Sequence, residues 1–166
     1  MKKLLLWLVM VVVMLAVLLG GAGYAMYAMT GDDKLPTQHP TLGDTELEPI
    51  GYDWSVPVLG NVLIRTVEQP STLTVQKLGE MTEAAPELVL PDWAQRTSLT
   101  LKDSAGSVVV QGDAAAFAMY AYPKNGSYEL TLTAYRNTAD PGDATGWYRY
   151  CASYTMNIQP KAVLSS

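Results

Sequence analysis

The sequence predicts an all-β domain, an antiparallel β-sandwich, behind one N-terminal transmembrane helix. Three observations carry that expectation. An uncharged run of 26 residues extends from Leu4 to Met29, preceded by Lys2 and Lys3. From residue 50 to 163 the chain is dense in Val, Leu, Thr and Tyr and broken by turn residues. Late in that region, two segments alternate apolar and polar side chains with the two-residue period of a half-buried strand.

As a helix the apolar run is about 39 Å long, more than the ~30 Å hydrocarbon core requires. The alternative is a cleaved signal peptide, with Lys2 and Lys3 as its basic start and Gly23-Tyr24-Ala25 as a loose small-x-small site. Leu4 to Leu19 already gives 16 strongly apolar positions, at or beyond the long end of a signal's apolar core, and the uncharged stretch continues past them. The reading is therefore an anchor over residues 1–29 that meets the membrane through residues 4–29. Lysines on one flank and Asp32 and Asp33 on the other place the N-terminus in the cytoplasm and the remainder outside. Cleavage would instead give a secreted domain. No cysteine lies near the cleavage site to carry a lipid.

Residues 30–49 hold three prolines, two glycines and five acids without apolar periodicity, and read as an acidic, Pro-rich flexible tether. His39, the single histidine, falls there and is expected to be solvated. Residues 50–163 then form one domain, a length that supports one core. Its short strands are NVLIRTV (61–67), TLTVQKL (72–78, Leu73 and Val75 sharing a face), ELVL (87–90), TSLTLKD (97–103) and SVVVQG (107–112). AAAFAMYAY (114–122) reads as a strand packed on both faces; its alanines favour a helix instead. GYDWSVPVLG (51–60) fits no pattern.

Asn125-Gly126 supplies turn chemistry. After it Tyr128, Leu130, Leu132 and Ala134 point one way, and Glu129, Thr131, Thr133 and Tyr135 the other. In the last segment Tyr148, Tyr150, Ala152, Tyr154, Met156 and Ile158 alternate with Trp147, Arg149, Cys151, Ser153, Thr155 and Asn157. These two segments make a closing hairpin. The stretch NGSYELTLTAY, Asn125 to Tyr135, resembles the Gly-x-Tyr-x-Val-x-Leu-x-Val strand late in PKD-like and bacterial immunoglobulin-like sandwiches. The resemblance puts Gly126 and Tyr128 at the motif's Gly and Tyr, with the Tyr packed inward, and covers about 35 residues. It implies an immunoglobulin-like fold, a bacterial origin and a spacer, adhesin or partner-binding role.

Beyond Met29 nine Lys or Arg stand against sixteen Asp or Glu. That balance argues against nucleic acid and against lying on anionic lipid. One histidine in the tether leaves no Ser-His-Asp or Cys-His arrangement unless the tether folds back, and Cys and His are too few for zinc. No dinucleotide fingerprint or P-loop occurs. Asp103 and Asp113, flanking the SVVV strand, are the pair a small carboxylate-dependent hydrolase or lyase would need within about 5 to 10 Å; turn capping is the plainer reading. Asp140 and Asp143 in ADPGDATG could give oxygens to a weak calcium site, though the EF-hand spacing is missing and an Asp-Pro-Gly turn explains them. No other cofactor is expected. Cys151, unpaired in a compartment that permits disulfides, is a buried small side chain, a surface thiol or one half of an intermolecular bridge, the first being the default. Asn125-Gly126-Ser127 also matches a glycosylation acceptor.

No catalytic constellation emerges, so the expectation is a non-enzymatic, membrane-anchored cell-surface domain that binds or scaffolds a protein or glycan. Tyr faces inward on the last strand, which leaves Trp147 and Arg149 outward as the candidate binding surface. A different reading makes the chain a subunit of a membrane complex held through its helix, where Gly20-Gly21-Ala22-Gly23 permits close contact.

Overall fold

In a computed structural model the described residues are 2–29, 35–58, 63–82, 86–122, 125–136 and 146–157. The apolar run forms one helix, α1 (Lys2–Met29). Its segment Leu5–Ala25 is long and apolar enough to cross a membrane, and none of it is buried against protein. With no acid or base after Lys3 and apolar residues on every side, α1 has a surface suited to lipid rather than water.

The rest is β-rich. Strands β1 (Thr41–Leu42), β2 (Thr45–Glu46), β3 (Pro49–Val58), β4 (Leu63–Gln69), β5 (Gln76–Met81), β6 (Leu88–Val89), β7 (Arg96–Asp103) and β8 (Val108–Gly112) precede a short helix, α2 (Ala114–Ala118). The long strands β9 (Gly126–Arg136) and β10 (Gly146–Met156) follow. Seven strands make one sheet in the order β4-β3-β10-β9-β7-β8, with β5 also paired to β10. The short strands make a second sheet, β2-β1-β6. Where the alternation predicted an antiparallel sandwich, the described residues form a broad seven-stranded sheet and a small three-stranded one.

β9 and β10 form the expected hairpin, in register from Gly146 opposite Arg136 to Met156 opposite Gly126. Their apolar sets face the core: Tyr128, Leu130, Leu132 and Ala134 from β9, and Tyr148, Tyr150, Ala152, Tyr154 and Met156 from β10, are all buried. The first half of β10 pairs antiparallel with β3, and the second half pairs parallel with β5 on the same edge. The chain between β4 and β5 therefore steps sideways past the start of β3. Thr72 N donates to Ile50 O at 2.8 Å, and Ser71 lies against Gly51. Only glycine fits there, because a Cβ on Gly51 would sit 2.5 Å from the Ser71 Cα.

Four expectations need correction. GYDWSVPVLG, which had no assignment, supplies most of β3 and buries Trp54 and Val56. Pro57 is tolerated because β10 pairs β3 only as far as Trp54, so no ladder on that side needs its missing N–H. The strand expected at 72–78 is displaced to Gln76–Met81, and Leu73 is fully exposed. AAAFAMYAY is not a strand: Asp113 caps α2, its carboxylate accepting from Ala116 N at 3.0 Å, and the helix stops after five residues. Phe117 from α2 and Tyr122 beyond it cover the end of the core.

The fourth correction is the tether. Residues 30–34 lie outside the described residues, but 35–47 pack on the domain. Leu42 and Leu47 are fully buried in the common core, and Leu35 packs against it. Leu47 N donates to Pro40 O and Gly43 N to Glu87 O, both at 2.8 Å. The segment looked featureless because two leucines five residues apart match neither a helical nor a strand period.

Candidate functional site

Antiparallel partners share a face, so the register fixes what the broad sheet shows to solvent. Along β10 the outward residues are Trp147, Arg149, Cys151, Ser153 and Thr155; opposite them on β9 are Tyr135, Thr133, Thr131, Glu129 and Ser127. β7 adds Arg96, Ser98, Thr100 and Lys102 in the same rows. Trp147 and Arg149, the residues singled out by alternation, are thus neighbours on the open face, both half-buried.

The register adds two residues that the sequence did not nominate. Tyr135 is directly opposite Trp147, and Arg96 is directly opposite Tyr135. The Arg149 guanidinium lies over the Trp147 ring, 5.3 Å from its centroid, and that of Arg96 over Tyr135 at 4.7 Å. Arg149 Nε also donates to Thr133 Oγ1 at 3.4 Å. Neither arginine forms an ion pair among the described residues. The result is two guanidiniums stacked beside two aromatics on three adjacent strands. Tyr135 was visible as an outward residue; its partnership with Arg96 depends on β7–β9 register, which no local pattern encodes.

Cys151 also lies on this face, half-buried, its sulfur 3.9 Å from Thr131 Oγ1. Burial pushes its thiol pKa up, which lowers its reactivity. Asp103 and Asp113 do not converge. β7 and β8 form an antiparallel hairpin with the two acids at its opposite ends, about 15 Å apart at strand rise. Asp103 Oδ1 accepts from Ala105 N and Ser107 N, each at 2.9 Å, while Asp113 caps α2. Asp140 and Asp143 lie outside the described residues. Among the described residues no group of three His, Cys, Asp or Glu could hold a metal ion. Asn125 is exposed beside Gly126, and its Nδ2 donates to Asn157 Oδ1 at 3.5 Å.

His39 differs most from expectation. The segment carrying it folds back, and its Nδ1 lies 3.0 Å from the Tyr150 hydroxyl, with the ring 5.5 Å from Tyr148 and 5.9 Å from Tyr150 between centroids. The main-chain N–H of His39 donates to Glu46 Oε1 at 3.1 Å, and Trp93 Nε1 donates to Gln38 O at 2.8 Å. Thr37, Thr41, Glu46, Val89 and Asp92 help to line the groove beside it, and no serine or cysteine does so among the described residues. Burial lowers the imidazole pKa from 6.5, outweighing the opposing pull of Glu46. The folded state then favours the neutral ring. Its contribution to stability is complete above about pH 6.5 and is lost as pH falls toward the lowered folded value. The melting temperature should therefore drop between about pH 7.5 and pH 5.5, and His39→Gln should shrink that drop. Equal drops in both proteins would remove His39 as the cause.

Compared with protein-family models, curated proteins and solved structures, the chain matches none.

Proposed function

We propose that the chain is a single-pass membrane protein, N-terminus inside, whose β-rich domain binds a partner outside the cytoplasmic membrane through the open face around Trp147, Tyr135, Arg96 and Arg149. One observation carries this reading. Two arginines that form no ion pair among the described residues lie over aromatic rings at one end of strands β7, β9 and β10, in a chain where acids outnumber bases. Interfaces favour such side chains, because they bury much area at little entropic cost. The resemblance of β9 and β10 to PKD-like and immunoglobulin-like strands supports a sandwich-type binding module, and Lys2 and Lys3 at the start of α1 support the orientation.

The test uses carbonate-washed native membranes containing full-length protein. Trp147→Ser with Arg149→Ser should remove a specific co-purifying protein or glycan while the melting temperature holds. An unchanged capture profile rejects this face as the site.

A further inference from the structure

We propose that the occupant of the open face is a second copy of this chain, docked face to face about a two-fold axis so that the acidic end of one row of side chains meets the basic end of the other. The proposal rests on the reading of this face as a binding surface and names the partner.

The row is set by register. Glu68 on β4 stands opposite Asp53 on β3, and Asp53 opposite Trp147 on β10. Trp147 is opposite Tyr135 on β9, and Tyr135 opposite Arg96 on β7. Trp54 and Tyr148, the chain neighbours of Asp53 and Trp147, are buried, so the row lies on the other side of the sheet, toward solvent. Glu68 and Arg96 at its two ends are exposed, and the three residues between them are half-buried. Across five strands the row runs acid, acid, tryptophan, tyrosine, arginine.

Neither end finds a counter-charge among the described residues. Asp53 and Glu68 are like charges placed directly opposite each other, which destabilises a strand pair. Arg96 cannot relieve them from within the chain, because three strand spacings, about 14 Å, separate its backbone from that of Asp53. Its guanidinium lies over Tyr135 instead. Arg149 stands diagonally beside Asp53 but turns toward β9, where its Nε donates to Thr133, and its guanidinium covers Trp147.

Such a row is complementary to its own reversed image. A two-fold axis running along the strands between β9 and β10 sets Asp53 over Arg96 of the second copy, and Arg96 over its Asp53. Trp147 and Tyr135 cross in the same way, so each contact is made twice, as in any isologous dimer. The aromatics then lie at the centre with the charges outside them, the arrangement of a protein interface. The five strands span about 19 Å and β9 and β10 run about 35 Å, which approaches the ~800 Å² per partner of a standard interface. Copies held through α1 in one membrane also meet at a raised effective concentration.

The experiment co-expresses two differently tagged full-length copies, dissolves the membranes in mild neutral detergent and captures one tag. The other copy should come with it, less so as salt rises. Asp53→Arg with Glu68→Arg in both copies sets arginine against arginine and should lower co-capture at least about 10-fold. Arg96→Glu in both copies sets acid against acid and should do the same. One copy of each variant should restore co-capture, because both charge pairs then re-form with their signs exchanged. If the Asp53 change lowers the melting temperature, Glu68→Arg alone replaces it, with a smaller loss and a smaller restoration expected. Glu87→Arg, an exposed acid outside the broad sheet, should change nothing. Equal co-capture by the parent and the same-sign variants overturns the proposal and leaves α1 as the contact. Absence of co-capture by the parent, or no restoration by the mixed pair, overturns it as well. If copies do not associate while Trp147→Ser with Arg149→Ser still removes a membrane partner, the face stands as a binding surface and only the second copy falls.

Discussion

Trp54→Ala should lower the unfolding free energy by about 3 to 5 kcal/mol, the usual cost of deleting a large buried aromatic. Trp54 is 1% exposed. Trp93 meets it edge-on, with ring centroids 5.3 Å apart and planes at 87°, and Tyr148 meets it at 5.3 Å and 62°. Arg136 lies over its ring, and Gly146 lies so close that a Cβ there would be 2.5 Å from Cε3. Truncation leaves a cavity that two rings, a guanidinium and a strand cannot easily close. Trp147→Ala, on the open face, should cost about 1 kcal/mol or less. Urea unfolding of both variants in detergent reads the difference. Similar losses at the two tryptophans would mean that the faces of β3 and β10 are wrongly assigned.

Gly51→Ala should destabilise by about 2 to 3 kcal/mol although it adds one methyl group. The new Cβ would meet Ser71 Cα at 2.5 Å and Ser71 N at 2.7 Å, main-chain atoms that cannot swing aside. The Thr72 N to Ile50 O bond holds the crossing segment in place. Ser71→Gly in the same protein should rescue little, because it removes only the Oγ contact. Gly126→Ala, with nothing within 4 Å of its Cβ, is the matched control. A Gly51→Ala protein that melts with the parent would show that the crossing segment does not press on β3.

The contrast between Gly51 and Tyr128 shows where the sequence is legible. β9 and β10 announce themselves because eleven-residue strands with one wet face repeat the same choice five times. Tyr128 through Ala134 and Tyr148 through Met156 each landed on the buried side. Trp147 and Arg149 followed from the same parity. β3 was harder to see, since Gly51 and Pro57 break its pattern for reasons that lie in other strands: a crossing chain at one, an absent partner at the other. Residues 35–47 were invisible as structure because their order comes from contacts with sequence-distant groups. His39 meets Tyr150, Gln38 meets Trp93, and Gln76 reaches back, accepting from Glu48 N at 2.8 Å and donating to Glu46 O at 3.0 Å. The Arg96–Tyr135 half of the candidate site was hidden in the same way. Parity gives a residue's face, but only strand order gives its neighbour.

That β10 carries three ladders at once has a consequence for how the domain is made. A chain that emerges from its N-terminus delivers β3, β5 and β9 before the strand that joins them. Until β10 arrives, β3 and β5 have open edges where it will pair, and β9 is joined only to β7. Such edges are templates for pairing between molecules. The joining contacts, β10 with β3 and with β5, span about 75 to 100 residues of sequence, and closing loops of that length slows folding. Assembly therefore waits on the last described strand, and the interval before it arrives is the period in which the nascent domain most needs protection from its own copies.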